Sequence, residues 1–124
     1  MQIISTSSAP AAIGPYSQAI SAGDFLFVSG QTGLLPSSGE VPGNTIEIQA
    51  EQCCRNVRAI LDANGMTFEN VVKTTCFLVD MADFAAFNAV YEKHFVSKPA
   101  RSCVAVRELP KKLLCEIEVI AVKA

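Results

Sequence analysis

Leu113-Leu114-Cys115-Glu116-Ile117-Glu118-Val119-Ile120-Ala121-Val122 is the stretch that decides the fold class. It reads with a period of two, so successive side chains point to opposite faces of a strand. Cys115, Ile117, Val119 and Ala121 share one face, which is wholly apolar. Leu114, Glu116, Glu118, Ile120 and Val122 share the other. A strand apolar on one side and largely apolar on the other belongs in a sheet with helices on one face and further cover on the second.

Upstream, Leu109-Pro110-Lys111-Lys112 is turn sequence, and Pro99-Ala100 breaks the chain before a strand predicted over Arg101 to Val106. Phe84, Phe87, Tyr91 and Phe95 recur at helical spacing, with Asp80 as candidate cap. This stripe is read as core rather than as a ligand pocket. Val71 to Val79, rich in Val and Thr, reads as a strand. Thr45 to Asn64 reads as a helix, because Ala50, Cys53, Cys54, Val57, Ile60 and Leu61 fall on one face. Thr45 is its candidate N-cap and Gly65 its stop. Ser17 to Ser29 reads as a hairpin turning at Gly23-Asp24. Phe25 and Phe27 alternate with Leu26 and Val28, as in a strand covered on both faces. Pro10 to Pro15 and Pro36 to Gly43 are loops. The order is β-β-(β)-α-β-α-β-β, the bracketed strand having no assigned residues. This is an α+β fold, one sheet with two helices on one face, in a single domain over residues 1–124.

Half of the 124 residues are hydrophobic and 18% are charged. That is more apolar material than a monomer of this size usually needs, which suits either a tightly packed monomer or a sheet face or helix flank buried by another copy; the uncovered sheet face favours a neighbouring subunit. Net charge is −2, and no Lys or Arg precedes Arg55. Backbone binding to nucleic acid needs clustered cations, so a nucleic-acid partner is disfavoured. The five cysteines are odd in number and none are in C-x-x-C spacing. They read as free buried thiols of a reducing compartment. His94 is the single histidine, so no zinc-ligand set is present and no metal is expected. Met1-Gln2-Ile3-Ile4-Ser5 lacks the features of an export signal, and no apolar run approaches ~18 residues. The expectation is a cytoplasmic protein without a membrane partner.

Four features carry candidate chemistry. Glu116 and Glu118 lie among apolar residues on one strand face, where a carboxylate is costly unless it reaches water, is paired or is used. Arg101 opens a strand beside irregular chain, suited either to a surface salt bridge or to gripping a carboxylate through two parallel hydrogen bonds. Gly14-Pro15-Tyr16-Ser17 places a phenol on a fixed loop. Ser29-Gly30 reads as a strand end that admits close approach by a ligand, or as ordinary turn residues. No nucleophile elbow, phosphate-binding loop or dinucleotide glycine pattern occurs. His94, beside Lys93, reads as a surface residue, and Cys103, two positions from Arg101, is the thiol for which a cation-favoured thiolate is considered.

Six segments then align, in order and spacing, with one family: Ala9 to Ala19, Phe27 to Gln31, Gly39 to Pro42, Val72 to Thr75, Pro99 to Val104 and Glu116 to Ala121. Over its full length the chain resembles the RidA/YjgF family of reactive intermediate deaminases. The resemblance implies a chorismate-mutase-like α+β fold and a homotrimer with three clefts between subunits. It implies hydrolysis of 2-iminobutanoate and 2-iminopropanoate, products of dehydratases, to 2-keto acids and ammonia, without metal or organic cofactor. It implies that Arg101 holds the substrate carboxylate and that Glu116 positions or activates the attacking water. The Cys103 backbone carbonyl would hold that water or the substrate nitrogen. Tyr16, Ser29, Gly30 and Asn88 would line the cleft. The competing expectations are a small-carboxylate-binding regulator without turnover, a translation-inhibiting ribonuclease role and a holdase chaperone. The acidic balance weighs against the ribonuclease.

Overall fold

A computed structural model describes all 124 residues. Six strands form one sheet in the order β1-β2-β3-β6-β4-β5: β1 Gln2–Ile4, β2 Ala19–Ala22, β3 Phe25–Thr32, β4 Val71–Leu78, β5 Ala100–Ala105 and β6 Cys115–Val122. The last strand lies in the middle, antiparallel to both β3 and β4, which is why its sequence carried the fold. β5 runs parallel to β4 at one edge, so the chain must cross over between them. No strand lies between the hairpin and α1, where the bracketed one was expected; the additional strand is instead the N-terminal β1, too short to show alternation, which pairs with β2.

Two helices, α1 (Ile46–Ala63) and α2 (Phe84–His94), pack on one face. Thr45 caps α1 by accepting from the Ile48 amide, and Gly65 ends it at φ +69°, the left-handed conformation glycine adopts without penalty. Asp80 does not cap α2 itself. It caps a single 3₁₀ turn, Met81–Asp83, that leads into α2. Cys115, Ile117, Val119 and Ala121 from β6 join Val57, Ile60, Leu61, Phe87 and Phe95 in one core cluster of 24 buried residues.

The opposite face is open in the single chain. Phe25, Phe27 and Val104 are each 45% exposed, so β3 is not covered on both sides within one protomer. His94 also departs from expectation. Its side chain is only 22% exposed, with Nε2 2.9 Å from Glu51 Oε1 and its ring against Phe68, because the end of α2 packs on α1 there. The five cysteines are free: four are buried and Cys103 is half-buried. No helix is long and apolar enough to cross a membrane.

Candidate active site

Glu116 lies on the open face of β6, since its neighbours Cys115 and Ile117 enter the core. Opposite it, the β3–β6 register slips between Val28 and Gln31, so Ser29 and Gly30 sit in a bulge inside β3 and not at a strand end. The bulge brings the Gly30 backbone against the Glu116 side chain. A Cβ at Gly30 would lie 2.6 Å from Glu116 Cδ and closer still to Oε1. Glu116 forms no ion pair. Burial, then the negative charge of Glu118, raise its pKa above the usual carboxylate range. It borders a cavity of about 390 Å³ with Tyr16, Gly30, Lys111, Pro10 and Ile13.

The loop forming one wall of this cavity is fastened from behind. The buried Gln18 carboxamide accepts from the Thr6 amide at 2.7 Å and donates to Pro10 O at 2.8 Å, with longer bonds to Thr6 O and Ala9 O. The Tyr16 hydroxyl accepts from the Ile13 amide at 3.4 Å, and the residue stays 55% exposed. Asn56, fully buried on α1, donates to Thr32 O and Leu34 O at 2.9 Å and so holds the opposite wall. Ser29 does not border the cavity. Its hydroxyl donates to Ser17 O at 2.6 Å, and it faces a neighbouring hollow with Phe27 and Glu118. The proton of that hydroxyl is therefore committed, leaving its lone pairs for a ligand.

Arg101 occupies a second location. It lies on the edge strand β5 in register with Thr74, whose side chain enters the core, so Arg101 lies on the helix face. Its Nη1 donates to Asn88 Oδ1 at 2.7 Å. Its guanidinium carbon lies 4.8 Å from the Tyr91 ring centroid and 5.5 Å from that of Phe84. No carboxylate comes within 4.0 Å of it. Together with Asn88, Tyr91 and Lys98 it borders a hollow of about 650 Å³. Cys103, two residues on, faces the same side. Burial raises its thiol pKa more than Arg101 lowers it, so the side chain is no activated nucleophile.

The structure thus brings Arg101, Asn88 and Cys103 together, and Tyr16, Gly30 and Glu116 together. Within one chain it does not bring the two groups to one cavity, because they belong to opposite faces of the sheet. Sequence reasoning missed the second role of Phe84 and Tyr91, which were read as core alone. It also missed Gln18 and Asn56; for Asn56 the available signal was a carboxamide on the apolar face of a helix, three positions after Cys53 and four before Ile60. No group of three or more His, Cys, Asp or Glu side chains is arranged to hold a metal ion.

Fold and site together define a small α+β chain with an unpaired cation at one sheet edge and a carboxyl of raised pKa on the other face. The chain belongs to the family described as Endoribonuclease L-PSP, also called YjgF/RidA, whose profile matches residues 6–123. It is similar to the 2-iminobutanoate/2-iminopropanoate deaminase of Mus musculus, with 50% identity over 124 residues, covering 98% of this chain and 91% of that one. It is 48% identical over 124 residues to the protein of the same name from Escherichia coli strain K12, covering 97% and 96%. The solved structure of E. coli TdcF with bound serine superposes with a TM-score of 0.94 at 42% identity, covering 100% of both chains.

Proposed function

We propose that this protein hydrolyses small 2-imino acids, 2-iminobutanoate and 2-iminopropanoate, to 2-keto acids and ammonia. The observation that carries this reading is the Arg101 guanidinium, held in place yet without a carboxylate partner. A guanidinium in that condition offers its remaining N–H groups to a carboxylate in a fixed fork. The two curated relatives named as imine deaminases support the same substrate class.

Arg101 and Glu116 open on opposite faces, so the reaction requires a second copy to complete each cleft. The proposed assembly is a homotrimer in which Arg101 of one subunit meets the Glu116 cavity of the next. The exposed Phe25, Phe27 and Val104 give the open face an apolar surface for that contact.

In the reaction, Arg101 binds the substrate carboxylate and offsets its charge. Glu116 takes a proton from water as the water oxygen bonds to C2, and the imine nitrogen receives that proton, giving a carbinolamine. Glu116 then takes the hydroxyl proton and passes it to the amine. The C2–N bond breaks, ammonia leaves, and the carbonyl of the 2-keto acid forms. A carboxyl of raised pKa suits this exchange, because its carboxylate is a stronger base than that of an ordinary glutamate and the protonated form still returns the proton. The proposed roles of the Cys103 carbonyl, Tyr16, Ser29, Gly30 and Asn88 are to line and shape the cleft around the substrate.

The test is a coupled assay. 2-Iminobutanoate is generated by a threonine dehydratase, and the appearance of 2-oxobutanoate is followed with and without this protein. Acceleration by wild type, lost in Glu116→Gln, is the expected result; no acceleration refutes the reading. TdcF was solved with bound serine, which favours one alternative, a small-carboxylate binder without turnover. That alternative needs Arg101 but not Glu116, so equal ligand affinity with no catalysis in wild type would establish it instead.

A further inference from the structure

Phe84, Asn88 and Tyr91 are spaced four and three residues apart, so they form one stripe along α2. All three touch the Arg101 guanidinium, and none carries a charge. An arginine is more commonly steadied by a carboxylate, which consumes its paired N–H donors and cancels its field. Here the amide oxygen of Asn88 takes one donor and the two ring faces take none. Glu92 borders the same hollow but stays beyond ion-pair distance. Tyr91 is itself immobilised: its hydroxyl shares a 2.7 Å hydrogen bond with Thr74, and its ring stacks on Phe95 at 4.2 Å between centroids.

We propose that Phe84 and Tyr91 are positioning residues which, with Asn88, form a neutral cradle that aims Arg101 at a carboxylate without discharging it. This rests on the reading of Arg101 as the carboxylate clamp. The cradle restricts the guanidinium to one plane before substrate arrives. Binding a small acid then costs less ordering of a long, flexible side chain. The ring faces also attract the guanidinium charge at a half-buried position where solvation is incomplete.

The test measures binding of 2-oxobutanoate by titration calorimetry to wild type, Arg101→Ala, Tyr91→Leu, Tyr91→Phe and Phe84→Leu, with the melting temperature of each. Arg101→Ala is expected to abolish binding. Tyr91→Leu and Phe84→Leu are expected to weaken it about tenfold. Tyr91→Phe keeps the ring and loses only the bond to Thr74, so it should melt lower yet bind within about threefold of wild type. A merely structural role predicts that affinity follows melting temperature, and Tyr91→Phe breaks that link. Wild-type affinity in folded Tyr91→Leu and Phe84→Leu overturns the cradle, and so does equal weakening in Tyr91→Phe and Tyr91→Leu. If Tyr91→Leu does not fold, the half-buried Phe84 decides the matter alone. Undiminished binding by Arg101→Ala would instead remove the clamp itself, a result distinct from loss of the cradle.

Discussion

Gly30 and Glu116 compete for one volume: a methyl group on Gly30 would overlap the Glu116 carboxyl, 2.6 Å from Cδ. The backbone of Gly30 lies outside the left-handed region, so steric contact and not φ makes glycine necessary here. Gly30→Ala is therefore expected to fold, displace the Glu116 side chain and lower kcat by about 100-fold or more. Circular dichroism checks the fold and the coupled assay checks the rate. Near-normal turnover would mean that the position of Glu116 is unimportant.

Arg101→Lys should bind 2-oxobutanoate poorly although it keeps the charge, because an ammonium cannot form two parallel bonds from a fixed plane. A loss of about tenfold or more in kcat/KM, most of it in KM, is expected. Full activity in the lysine variant would show that charge alone suffices.

The acidic limb of the pH profile follows from Glu116. Burial and Glu118 raise its pKa, and the base form predominates only above that value. The kcat/KM value should therefore fall as pH drops through a midpoint above the ordinary glutamate range. Glu118→Gln removes the like charge and should move that midpoint to lower pH, leaving the burial contribution. A midpoint unmoved in Glu118→Gln would detach the limb from this pair.

The His94–Glu51 contact ties α2 to α1. The hydrogen bond from His94 lowers the Glu51 pKa, so the contact stabilises the fold above the unfolded-state glutamate pKa and is lost as pH falls through the lower folded-state value. Glu51 is 37% exposed and screened by solvent, so His94→Ala should cost only about 0.5–1 kcal/mol at neutral pH. Thermal melts of both proteins between pH 7 and strongly acid conditions check the size and its disappearance.

The open sheet face predicts an oligomer. Light scattering on the purified protein should give the mass of three chains. Phe27→Asp, which places a charge on an exposed apolar residue of that face, should reduce the mass to one chain and abolish turnover. Retention of full activity in a monomeric variant would contradict a shared cleft.

The sheet and both helices were legible because the period-two alternation of β6 and the helical spacing in α1 survive in a chain with few irregularities. What escaped reading was set by tertiary contact. The bulge at Ser29-Gly30 arises from a register slip against β6, which no local pattern encodes. His94 is held by Glu51, 43 positions away. Tyr91 was legible as core because it is buried, but its contact with Arg101 depends on a β5 edge that only the folded chain brings to α2. For the site, residue identities were legible and their grouping was not: strand alternation separates Arg101 from Glu116, and that separation depends on how β4 aligns β5 with β6.

Placing those two groups on opposite faces has a genetic consequence. If each cleft draws its cation from one protomer and its carboxyl from the next, two inactive alleles complement each other. Arg101→Ala and Glu116→Gln chains, unfolded together and reassembled at equal amounts, would form intact clefts at roughly a quarter of all positions. Either allele alone would form none, so activity in the mixture could come only from hybrid assemblies.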